Sequence, residues 1–129
     1  MEILIVALVL VAVLWLVAVW LGAQAKRQVD VDVDLPPERV AEIVRDHFGS
    51  ITWRPVNGRG IINYQSRGPG VGSAVLKNPT ISVDLSALVS GGTRAEIWMS
   101  SWQTKGGVIG SADRVFLKKR SLANKLAAL

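Results

Sequence analysis

From Ile3 to Leu21 the chain holds only Ile, Leu, Val, Ala and Trp, with no charge and no proline, and fourteen of these nineteen positions are Ile, Leu or Val. About 20 such residues cross a ~30 Å hydrocarbon core, and those fourteen favour the bilayer by roughly 4 to 8 kcal/mol in sum. The pattern predicts one transmembrane helix from about Ile3 to Ala23, with Trp20 at headgroup level. Ala23-Gln24-Ala25 reads like a small-residue cleavage site. Only Met1 and Glu2 precede the run, however, neither is basic, and the run is longer than a usual signal core, so a retained anchor over residues 1–25 is expected.

Beyond the anchor, residues 24 to 28 are expected to form a short linker that keeps a domain over 26–129 close to the membrane surface. Strict alternation follows in Val29-Asp30-Val31-Asp32-Val33-Asp34-Leu35, which predicts a half-buried strand. Pro36-Pro37 stops that strand and opens a helix, in which Val40, Ile43 and Val44 share a face and Gly49 supplies the stop. Turn signals at Pro55-Val56-Asn57-Gly58, Gly68-Pro69-Gly70, Asn78-Pro79 and Gly91-Gly92 delimit strands expected at 51–54, 60–67, 72–77, 80–88 and 93–103. Gly106, Gly107 and Gly110 break the last of these. A final helix is expected from Ser111, with Ala112, Val115, Phe116, Leu122, Ala123 and Leu126 on its inner face. The class predicted is α+β: a single membrane helix, then strand, helix, antiparallel meander and C-terminal helix.

Charge refines the picture. Lys26 and Arg27 stand just after the apolar run and no basic residue precedes it, so the positive-inside bias places the domain in the cytoplasm, at a cell membrane. Six acids crowd between Asp30 and Asp46, whereas from His47 onward eleven basic residues face three acidic ones. Such an excess suits anionic lipid headgroups, and Lys26, Arg27, Arg114, Lys118, Lys119, Arg120 and Lys125 are the candidate contacts with lipid or a partner. No nucleic-acid recognition motif accompanies it, so nucleic acid is not expected as a partner.

The stretch Val29-Asp30-Val31-Asp32-Val33-Asp34-Leu35-Pro36-Pro37-Glu38-Arg39-Val40 resembles the opening of START-like domains, the SRPBCC or polyketide-cyclase-like superfamily. There an alternating strand turns through a small or proline-rich corner into a helix. The later strands and closing helix are similar to the helix-grip pattern of that superfamily, and the resemblance implies a lipid or small-molecule cavity. Behind its Val/Leu/Ala/Trp helix, such a domain is also similar to small accessory subunits of actinobacterial membrane complexes. The respiratory cytochrome bcc–cytochrome oxidase supercomplex is the example that this likeness suggests.

Candidate chemistry is sparse. Asp30, Asp32 and Asp34 mimic the spacing of a calcium loop, but position six is Leu35 where an EF-hand needs glycine, and alternation with valine makes them a solvated strand face. Gly68-Pro69-Gly70-Val71-Gly72-Ser73 lacks the lysine of a P-loop and reads as a hairpin connection. His47 is the single histidine and cysteine is absent, so zinc sites of the usual Cys/His kinds and Cys-His chemistry lack their residues. No enzyme activity and no cofactor are expected. Trp98 and Trp102 share a strand face and with Trp53 and Tyr64 form a candidate aromatic cleft, or else the core. In the membrane helix Ala7, Ala18 and Gly22 fall near one stripe, where a neighbouring helix could pack closely. The expected function is that of an accessory or structural subunit among other integral membrane subunits; a membrane-tethered START-like binding module is the alternative.

Overall fold

The computed structural model describes residues 1–49, 51–67, 70 and 75–129. Its first element, α1 (Glu2–Lys26), is long and apolar enough to span a membrane, and no residue from Ile3 to Leu21 is buried within the chain. The helix runs on through Ala25 and Lys26, so the expected linker shrinks to Arg27 and Gln28.

Strand β1 (Val29–Val33) turns Val29, Val31 and Val33 inward and leaves Asp30 and Asp32 exposed, as alternation requires. Helix α2 (Pro37–Phe48) starts at the proline pair, and Gly49 ends it with a positive φ of 68°. Three short or medium strands follow, β2 (Trp53–Pro55), β3 (Ile62–Ser66) and β4 (Thr80–Ala87), and then the longest, β5 (Thr93–Ser101). The hairpin of β6 (Thr104–Lys105) and β7 (Val108–Ile109) precedes α3 (Ala112–Ala127). Of the strand expected at 72–77, residues 71–74 lie outside the described residues, as does most of the glycine-rich segment 68–73, and 75–77 form no strand.

The main sheet is antiparallel with order β1-β5-β4-β3-β2, so the first strand closes onto the last long one. Gly92 makes this possible at the β4–β5 turn: a Cβ there would lie 2.6 Å from the Val33 carbonyl oxygen. Beside it, the Thr93 hydroxyl donates to the Leu35 carbonyl at 2.7 Å. Helices α2 and α3 cover one face. Val40, Val44 and Phe48 from α2, with Val115, Leu122 and Leu126 from α3, are buried against Ile81, Val83, Ile97 and Met99. Fully burying each such side chain contributes about 1.5–3 kcal/mol. The class is α+β, with α1 joined to the edge of this core through Gly22 and Ala25.

Candidate functional site: the join between the apolar helix and the domain

Helices leave their last carbonyls without intrahelical donors. At the end of α1 the Arg27 N–H meets the Gln24 carbonyl at 3.2 Å, and one side chain from a distant helix adds further donors. Lys119 of α3 is 2 % exposed, and its Nζ donates to the carbonyls of Gln24 (3.0 Å), Ala25 (2.7 Å) and Arg27. An ammonium group carries three donors, and all three are used here. It also lies at the negative end of the α1 dipole, where a cation is favoured. Burial, followed by the charge of Arg27, lowers its pKa from 10.5 to about 8, which leaves it mostly protonated at neutral pH.

Lower on α1 the β6–β7 hairpin lies along the helix. Trp15 Nε1 donates to the Gly106 carbonyl at 2.9 Å. Gly107 approaches Val19, and Gly22 is buried under Ile109, whose Cδ1 would meet an added Cβ at 3.3 Å. Trp15, Val19 and Gly22 are spaced by four and three and therefore share one helical face. Trp20 meets Phe116 of α3 edge-on at 5.6 Å, and Lys26 Nζ sits 5.8 Å from the centre of the Trp102 ring.

These contacts redistribute the residues singled out from sequence. Of the small-residue stripe, Ala7 is exposed, Ala18 is half-buried, and Gly22 is taken up by the chain's own hairpin rather than left for a neighbour. Lys119, expected to contact lipid or a partner, is instead buried, because it stands four residues after Val115 and three before Leu122, on the inner stripe. That periodicity was the available signal. Arg114 donates to Ser66 Oγ at 2.8 Å and to the Thr52 carbonyl, and Lys118 donates to the His47 carbonyl at 2.7 Å. Burial, then the charges of Arg114 and Lys125, lowers the Lys118 pKa. Lys26, Arg27, Arg120 and Lys125 remain exposed. Arg27 and Arg120 border a groove of about 440 Å³ between α1, β1 and α3, with Phe116 and Ala123 on its wall and Lys119 at its base.

The four aromatic residues do not share one surface. Trp53 and Tyr64 face the core, where Tyr64 stacks on Phe48 at 4.5 Å and Trp53 meets Phe48 edge-on at 5.5 Å. Trp98 alternates with the buried Ile97 and Met99 and so lies on the opposite sheet face, paired in register with Ser82. Trp102 follows β5, beneath Lys26. His47 closes α2 with Nε2 buried and unpartnered among the described residues. Burial first, then Lys118 and Lys125, holds its pKa below the ordinary value, so it is neutral at pH 7. Comparison with family models, curated proteins and solved structures finds no match to this chain.

Proposed function

We propose that the protein is a non-catalytic accessory subunit of a larger membrane complex, held by α1 among other integral membrane subunits and bracing the cytoplasmic side with its domain. The observation that carries this reading is the three-carbonyl clamp of Lys119 on the end of α1. A catalytic or sensing domain on a tether needs only a flexible link, whereas a buried clamp holds the domain at one angle to its helix. That is useful where position is the function. Exposed Arg27 and Arg120 beside the groove add a surface for anionic headgroups. The likeness to small accessory subunits of actinobacterial membrane complexes makes a respiratory complex the first assembly to examine.

The test is extraction of the full chain in mild detergent, followed by mass spectrometry of the co-migrating band. Integral membrane proteins in fixed stoichiometry are expected. Migration as a lone chain would refute the proposal, and an acyl or aromatic molecule retained by such a chain would instead favour the tethered binding module. Against that alternative stands the Phe48–Tyr64–Trp53 ring cluster, which occupies the space between α2 and the sheet.

A further inference from the structure

The heights of the contacts along α1 conflict with a domain riding wholly above the membrane. At 1.5 Å per residue the apolar run from Ile3 to Ala23 measures about 30 Å, the thickness of a hydrocarbon core. With its upper boundary at Ala23, Trp15 lies about 12 Å below that boundary and Gly22 about 1.5 Å below it. Gly106 is bonded to the first and Ile109 packed on the second. Moving the boundary down to Trp15 would clear the hairpin, but Ile3 to Leu14 would then cover only about 18 Å. It would also put Leu16, Val17 and Trp20, each about half exposed, into water. They stand on α1 at the height of the hairpin and must share its medium.

The hairpin is built for such a place. Backbone groups in hydrocarbon must be satisfied internally. Thr104 pairs with Ile109 and Lys105 with Val108, and Gly106 and Gly107 turn the chain with φ of 59° and 80°, the positive values of a tight two-residue turn. The outward Gly106 carbonyl is met by Trp15, whose indole N–H would itself lack a partner among lipid tails. Lys105 is exposed, on a stem long enough to carry its charge up toward the headgroups.

We infer that the β6–β7 hairpin is a second membrane-inserted element, lying beside α1 in the upper part of one leaflet with lipid as its partner. This rests on the reading of α1 as a membrane span, and the experiment separates the two. The chain has no cysteine, so single substitutions can be spin-labelled directly. Val9→Cys reports on α1, Thr104→Cys and Lys105→Cys on the two sides of the hairpin, and Val89→Cys on the exposed β4–β5 turn. The full chain is placed in phosphatidylcholine–phosphatidylglycerol vesicles, and label depth is read from relaxation by oxygen against a water-soluble nickel chelate. Val9 and at least one hairpin label should favour oxygen severalfold, while Val89 favours the chelate. If both hairpin labels behave like Val89 while Val9 is in lipid, the hairpin is not inserted and the span stands. If Val9 is also in water, the span reading falls and the insertion falls with it.

Discussion

Replacing Lys119 by Met keeps the length of the buried stem and removes its three donors. The carbonyls of Gln24, Ala25 and Arg27 then lose the ammonium, and of the three Gln24 keeps the Arg27 backbone N–H at 3.2 Å. A buried polar group left unmet costs about 1–3 kcal/mol. Part of that is recovered, because the groove beside Lys119 admits water to the outer carbonyls and an ammonium no longer has to be buried. A net loss of about 2 kcal/mol follows. It should appear as a fall in Tm of roughly 5 to 15 °C in detergent. The join itself is read by trypsin, which cuts after Lys26 and Arg27; opening there should make the Lys119→Met protein cleave roughly tenfold faster or more. The pH dependence has a definite sign. The folded pKa of about 8 lies below the ordinary 10.5, so the folded state releases this proton first. Its contribution to stability is flat below pH 8 and rises between 8 and 10.5. Lys119→Met should lack that rise. A variant with the same melting point, tryptic pattern and pH slope as the parent would refute the account of the clamp.

Phe48→Ala removes the ring that Tyr64 and Trp53 pack against and should cost about 3–5 kcal/mol in denaturant unfolding; a loss under about 1 kcal/mol would mean that the rings do not form part of the core. Gly22→Leu drives a side chain into Ile109 and should speed amide hydrogen exchange over 104–109 while α1 still partitions into membranes. Unchanged exchange would count against the packing described. A reporter fused after Leu129 should be active in the cytoplasm and shielded from external protease, and periplasmic activity would reverse the orientation inferred from Lys26 and Arg27.

Local periodicity carried much of the fold. The Val-Asp alternation of 29–35, the proline pair before α2, the glycine after it, and the Gly91-Gly92 turn each act on neighbouring residues, so their elements could be placed without knowing what packs where. The order of strands could not be read in the same way, because the pairing of Val29 with Ile97 is a long-range event. The same holds for the join. Lys119 and Ala25 are 94 residues apart, and Trp15 and Gly106 are 91 apart, and no spacing rule connects them. What could have been seen is that Lys119 occupies an inner position of its helix, where a charge demands partners. The glycines at 106, 107 and 110 announced a break in β5, but not that the resulting hairpin would lie against α1.

Because α1 passes into the domain without a flexible stretch, it behaves as a shaft with the domain keyed to its upper end. Adding one residue between Ala12 and Val13 would turn everything above it by about 100° and raise it by about 1.5 Å relative to the residues below. Whatever grips residues 3–12 would then meet the domain on a different side. Seven added residues bring the phase back to within about 20° while lengthening the shaft by about 10 Å. Angle and height are thus separable by insertion.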